Sequence, residues 1–193
     1  SPFFLYLAHM QVHLPLYAPQ RFVNESANGR YGACVEAVDW STSVLLHELK
    51  ALGLDENTLV IFTSDNGSRA RNEGGSNAPL NGTKGTTWEG GQRVPCIMRW
   101  PGQVPAGREC EGILSSIDLL PTLAALAGAD VPDDRRIDGL DASAFVTGAE
   151  DRSPRETFCY YMKGDLEAVR QGRWKLFVRR KGVVVQELYD LES

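Results

Sequence analysis

Thr58-Leu59-Val60-Ile61-Phe62-Thr63-Ser64-Asp65-Asn66-Gly67 reads as a strand that runs straight into a loop of oxygen donors. Residues 58–63 are all apolar or β-branched, the pattern of a strand covered on both faces, as in parallel sheets. Upstream, Tyr31, Val35, Val38, Thr42, Leu45, Leu49 and Leu52 recur at spacings of four and three, one stripe of an amphipathic helix. Gly53 stands where a helix C-terminal cap is expected. Before it, beyond a polar, Pro-containing loop over residues 9–29, Phe3-Phe4-Leu5-Tyr6-Leu7-Ala8 is a second continuous apolar run. Strand, helix and strand with short links predict a βαβ unit, hence a parallel sheet with a right-handed crossover.

Downstream, residues 64–92 are glycine-rich and poor in apolar residues, a long loop that builds no core of its own. Val94–Trp100 predicts a further strand closed by Pro101-Gly102, and Ser115–Gly128 a second helix with Ser116 or Asp118 near its start. Residues 129–155 are charged and mark a boundary. Beyond it, short strands at 157–162, 166–170, 174–178 and 183–188 are separated by Lys163-Gly164-Asp165, Gln171-Gly172-Arg173 and Arg180-Lys181-Gly182. Glycine-bearing turns at this spacing predict an antiparallel meander. The fold class is therefore α/β: a partial parallel sheet with flanking helices over residues 1–150, then a small antiparallel β subdomain over 151–193.

The 193 residues carry 20 Lys+Arg against 25 Asp+Glu, a net charge of −5, with 42% hydrophobic residues. This composition excludes a disordered chain, a collagen-like repeat and a disulfide-dense miniprotein. An acidic balance argues against a nucleic-acid or anionic-membrane partner, and no apolar stretch is long enough to span a bilayer. The basic run Arg179-Arg180-Lys181 falls in a predicted turn. Cys34, Cys96, Cys110 and Cys159 form no C-x-x-C pair, which speaks against zinc or redox chemistry. Cys34 and Cys96 lie in apolar-patterned segments and are expected as buried free thiols. The chain opens on an apolar run without Met and stops at Leu188-Tyr189-Asp190-Leu191-Glu192-Ser193 without a polar tail, so a piece of a longer protein is expected.

Candidate chemistry gathers beyond the strand ends, where open α/β sheets bind ligands. Asp65 and Asn66 offer hard oxygen donors suited to Ca²⁺ or Mg²⁺; Asp-Asn-Gly is equally turn chemistry. Two residues cannot fill the six to eight oxygen positions of calcium, and Asp133-Asp134 reads as a solvated turn rather than a second acidic cluster. His9 and His13 follow the first apolar run, where an imidazole can donate to an anionic oxygen, move a proton or serve the structure alone. Pro15 opposes a helix that would aim both at one metal. Lys84, in Asn81-Gly82-Thr83-Lys84-Gly85-Thr86-Thr87, has glycines that let the backbone approach an anion and an ammonium that supplies charge. The alternative is a solvated loop lysine, and the Walker spacing is missing. Glu89 and Arg93 are read as structural, fixing the loop's return.

Taken in order, these segments resemble the sulfatase family, within the alkaline-phosphatase-like α/β fold. The resemblance rests on Pro2–Tyr6 with His13-Leu14-Pro15, on Phe62–Gly67, on Gly82–Gly91 with Arg93-Val94-Pro95, and on Ser116–Leu123. It extends to Leu188–Leu191, and Gly74-Gly75-Ser76-Asn77 adds a likeness to arylsulfatase A-like and N-acetylgalactosamine-6-sulfatase-like members. It implies that Asp65 and Asn66 are two ligands of a Ca²⁺ rather than a Mg²⁺ ion. It also implies that His13 and Lys84 are catalytic and bind the sulfate group, and that the substrate is a sulfated small molecule or glycan. His9 receives no role. Such enzymes use a formylglycine made within C/S-x-P-x-R. None of the four cysteines begins that motif, and Ser153-Pro154-Arg155 has the wrong spacing. The nucleophile and the first pair of calcium aspartates are expected in a missing amino-terminal half, which is itself the implied partner. The segment alone is then expected to be inactive, and a periplasmic, secreted or lysosomal location follows from the family. A phosphodiesterase or phosphonate hydrolase of the same superfamily, and a non-catalytic binding domain, are the alternatives.

Overall fold

The structure, a computed structural model, describes residues 2–192. Ser1 and Ser193, the outermost positions of the two expected domains, lie outside the described residues. Packing groups the chain into two compact units. One comprises the residues up to Thr58 together with Ser64–Val94; the other comprises Leu59–Thr63 with the chain from Pro95 onward.

In the first unit, α1 (Gln20–Glu25) and α2 (Gly29–Ala51) are followed by a 3₁₀ turn, Asp55–Asn57, and by the one-turn helix α3 (Glu89–Gln92). The predicted cap is present: Gly53 has φ +66°, its N–H donates to Lys50 O, and the Leu54 N–H donates to Leu49 O. That is the paired pattern of a Schellman motif, in which a left-handed glycine satisfies the last carbonyls. The buried positions of α2 are Ala33 and Cys34, while Val35, Leu45 and Leu52 of the predicted stripe are exposed. Small residues are buried because the chain at Tyr17 approaches the helix closely. The Cys34 thiol donates to Tyr17 O at 3.3 Å, and burial pushes that thiol up.

Two expectations are corrected. Residues 3–8 form no strand, and Phe3, Phe4, Leu5 and Tyr6 are exposed. A strand is held by inter-strand hydrogen bonds, and no strand among the described residues pairs with this one. The βαβ unit and its parallel pairing are also not formed. β1 (Val60–Thr63) pairs with β2 (Cys96–Arg99) in antiparallel register, Thr63 opposite Cys96 and Val60 opposite Arg99. The chain between them leaves and returns at one end of the pair, which fixes their directions as opposed. The Thr63 hydroxyl donates to Pro95 O at 3.1 Å at that same end. Cys96 is exposed rather than buried, because this short two-stranded sheet leaves the neighbouring Ile97 uncovered as well.

The rest of the second unit follows the pattern of its sequence. A single 3₁₀ turn, Ser116–Asp118, leads into α4 (Leu119–Ala127), with Ser115 and Asp118 forming a capping box and Gly128 at φ +68° closing the C-terminus. The charged segment after it contains a short helix, α5 (Ser143–Thr147), that buries Phe145 and Val146. The meander is present as β3 (Thr157–Met162), β4 (Asp165–Gln171), β5 (Trp174–Arg180) and β6 (Val183–Asp190), in that spatial order and antiparallel throughout. Lys163-Gly164 and Lys181-Gly182 all have positive φ, as a two-residue turn of type I′ requires. Phe177 is fully buried with Tyr189 edge-on at 5.8 Å. No helix among the described residues is long and apolar enough to cross a membrane.

Candidate functional site

The long loop of the first unit is ordered by backbone contacts that glycine alone permits. The Gly67 N–H donates to Gly91 O at 3.1 Å, and the Gly90 N–H donates to Asn81 O at 2.7 Å. A Cβ on Gly67 would lie 1.8 Å from Gly90 O, and one on Gly90 would lie 2.4 Å from Gly82 O. Asn77 joins the two sides of the loop. Its Oδ1 accepts from Ser68 N at 2.7 Å, and its Nδ2 donates to Ser68 O at 2.8 Å and to Gly82 O at 3.0 Å. The Lys84 N–H donates to the same Ser68 O at 2.9 Å. Thr86 turns the following segment through its hydroxyl, which donates to Thr83 O at 2.7 Å, and Glu89 is buried at the start of the one-turn helix α3 (Glu89–Gln92).

Gly67→Ala therefore tests the loop directly. Forcing Cβ against a carbonyl separates the 66–68 and 90–91 segments, an overpacking of about 1–3 kcal/mol. Gly85→Ala meets open space but keeps the left-handed φ of +82°, a cost of about 1 kcal/mol. Urea midpoints of the two variants check the order: Gly67→Ala is expected to lose more.

Within this loop Lys84 shares a pocket of about 260 Å³ with His13, Thr83, Arg69 and Arg71. His13 and Lys84, 71 positions apart (84 − 13), are thus brought together. The imidazole Nδ1 lies 2.7 Å from Leu14 O, so a proton on Nδ1 leaves Nε2 as an acceptor. The Lys84 ammonium makes no ion pair among the described residues, whereas the Arg69 Nε lies 3.2 Å from Glu73 Oε1. The lining carries cations and hydroxyl but no carboxylate, inside a chain of net charge −5. Such a pocket selects an anion. Arg69 and Arg71 were not among the residues expected from sequence; the signal for them was two arginines in the same glycine-rich loop as Lys84.

Asp65 and Asn66 head the same loop but do not line this pocket. The Asn66 Nδ2 donates to Asp65 Oδ2 at 2.5 Å, and the Ser64 hydroxyl donates to Asn66 O at 3.0 Å. Two adjacent oxygen-bearing side chains, with Asp65 exposed, form a donor set of the right hardness for calcium. No cluster of three or more His, Cys, Asp or Glu that could hold a metal occurs among the described residues. His9 goes elsewhere: it lines a second pocket with Trp40, Phe22 and Gln11, apart from His13. Asp134 is exposed and paired with Arg135 at 2.8 Å, as a solvated turn.

The family model described as Sulfatase matches residues 1–129, and that described as N-sulphoglucosamine sulphohydrolase, C-terminal, matches residues 83–193. The chain is 42% identical to mouse (Mus musculus) steryl-sulfatase over 187 residues, which is 91% of this chain and 30% of that protein. It is 45% identical to N-acetylgalactosamine-6-sulfatase of Canis lupus familiaris, over 90% of this chain and 34% of that protein. A solved structure of Ps i-CgsB in complex with k-i-k-neocarrahexaose superposes with a TM-score of 0.86 at 35% identity, covering 99% of this chain and 44% of that one. The chain thus spans about a third of the length of the curated relatives it matches. The same structural likeness carries the α/β, alkaline-phosphatase-like fold class, with the four-stranded antiparallel sheet as its second part.

Proposed function

Because the chain belongs to the sulfatase family, we propose that the protein it comes from hydrolyses sulfate esters and that this segment supplies part of the sulfate site. The observation that carries the reading is the pocket lined by His13, Lys84, Arg69, Arg71 and Thr83, cationic within an acidic chain. Sulfuryl transfer spreads charge over the equatorial oxygens of sulfur, and fixed cations in a pocket stabilise that charge without reorganising. Lys84 supplies a point charge to one of those oxygens. His13, its ring oriented by the Nδ1 contact with Leu14 O, is placed to bind the same group and to move a proton at the leaving oxygen.

Asp65 and Asn66 fit two places in a calcium ligand set and would hold the ion with ligands from outside this chain. When bound, calcium supplies electrostatic stabilisation of the sulfate oxygens. The nucleophile, a formylglycine, belongs to the proposed amino-terminal half, since no C/S-x-P-x-R occurs in these residues. The substrate class is a sulfated small molecule or glycan; the relatives include a steryl-sulfatase as well as an N-acetylgalactosamine-6-sulfatase, and the cationic lining of the pocket suits a sugar sulfate. A secreted, periplasmic or lysosomal location accords with calcium and with such substrates.

The test compares 4-nitrophenyl sulfate with 4-nitrophenyl phosphate as substrates of the full-length protein and of the 193-residue chain. Sulfate turnover by the full-length protein alone is expected. Turnover by the isolated chain would overturn the assignment of the nucleophile. Preference for phosphate would favour the phosphodiesterase alternative, and inertness of the full-length protein toward both would favour a binding domain.

A further inference from the structure

We infer that Arg71, with Arg69 beside it, forms a second anion subsite that reads another negatively charged group on the saccharide, next to the ester being hydrolysed. The inference rests on the sulfate-ester reading of the pocket. A sulfate monoester carries one charge, which on that reading Lys84, His13 and calcium serve. Arg69 is partly neutralised by Glu73 at 3.2 Å. Arg71 makes no ion pair or side-chain hydrogen bond among the described residues, yet lines the pocket. Arg71 is therefore a cation of this pocket that neither an internal carboxylate nor the roles given to Lys84, His13 and calcium employ.

The backbone that bears the arginines is anchored at the site, with Arg71 exposed at its edge. Between them Ala70 has φ +47°, a left-handed conformation that a non-glycine residue keeps only where its surroundings hold it. Its N–H donates to the Ser68 hydroxyl at 3.0 Å. Ser68 O in turn accepts from the Lys84 N–H and from Asn77 Nδ2. The segment bearing Arg69 and Arg71 is thus tied to the backbone of Lys84 through one residue, Ser68, which holds the two backbones side by side. A guanidinium adds directional, two-pronged recognition of a sulfate or carboxylate, which a lysine does not. The ligand class is a saccharide with two anionic groups, the second being a sulfate or a uronate carboxylate.

The experiment measures kcat/KM of the full-length protein and its Arg71→Ala and Arg71→Lys variants on three probes: N-acetylgalactosamine 6-sulfate, its 4,6-disulfate, and a glucuronyl disaccharide of the 6-sulfate. A charge-assisted pair corresponds to about a tenfold to hundredfold effect. Arg71→Ala is expected to lose that much more on one of the doubly charged probes than on the monosulfate, chiefly through KM, with Arg71→Lys recovering part of it. Loss on the disulfate identifies a sulfate subsite, and loss on the disaccharide a carboxylate subsite. Equal losses on all three probes, or none on any, would overturn the inference. Should wild-type protein hydrolyse 4-nitrophenyl sulfate but none of the probes, the saccharide class fails while the sulfatase reading stands; inertness toward all four ends that reading as well. Calorimetric binding of the same three molecules then decides the subsite: tighter binding of a doubly charged probe that Arg71→Ala removes sustains it, and equal binding of all three ends it.

Discussion

Lys84→Ala is expected to lower kcat of the full-length protein on an aryl sulfate by roughly a hundredfold to a thousandfold, the range for removing one fixed electrostatic donor from a reacting oxyanion. The ammonium lies in a pocket without a carboxylate lining and makes no ion pair among the described residues, so no internal partner competes for it. Its charge acts on oxygens that gain negative character during transfer, so kcat should fall more than KM rises. The backbone of Lys84 is held by its own N–H on Ser68 O at 2.9 Å, a bond the substitution leaves intact. The variant should therefore unfold within about 0.5 kcal/mol of wild type. Lys84→Arg keeps the charge on a different shape and should recover part of the rate. A Lys84→Ala enzyme with unchanged kcat would remove this lysine from the reaction.

That residue was legible in the sequence because a lysine between two glycines is a local signal, as were the meander and the helix cap. Lys163-Gly164 and Lys181-Gly182 specify turns within two residues, and Gly53 closes α2 within one turn. What escaped the sequence depends on partners far apart. The apolar run 58–63 marks a strand but carries no information about the direction of its neighbour. The actual neighbour, Cys96–Arg99, follows a loop held by Asn77 and by glycines at van der Waals limits. The same loop brings Arg69 and Arg71 beside His13, a meeting that no periodicity announces. His9 and His13 are grouped in the sequence because both follow the apolar run 3–8, yet with those residues outside any sheet they line different pockets. Charged residues in the 129–155 stretch read as a solvated boundary, whereas Arg155 at its end reaches back 37 positions to a buried carboxylate.

That carboxylate, Asp118, is fully buried and should be the most costly polar substitution in the second unit. Its Oδ2 accepts from Arg155 Nε at 2.8 Å and from Ser115 N at 2.9 Å, and its Oδ1 accepts from Arg155 Nη2 at 2.5 Å and from Leu140 N at 2.8 Å. One side chain thus ties the start of the α4 segment to residue 140 and to the entry of the meander. Asp118→Ala strands a guanidinium whose side chain is only 12% exposed and leaves two backbone N–H groups without their acceptor, a loss of about 3–5 kcal/mol. Asp118→Asn keeps the shape and one acceptor oxygen and should lose less. Burial by itself raises the Asp118 carboxyl, but the Arg155 hydrogen bonds, with those of Leu140 and Ser115, outweigh it and hold the group below its ordinary value of 3.8. A carboxylate lowered in the folded state binds fewer protons there than when unfolded. Its contribution is therefore present above the unfolded value near 3.8 and is lost as pH falls through the lower folded value. Urea midpoints of wild type should fall as pH drops from about 5 toward 2, and Asp118→Asn, already without the charge, should fall less over the same interval. Parallel curves for the two proteins would show that the Asp118–Arg155 pair contributes nothing to acid sensitivity.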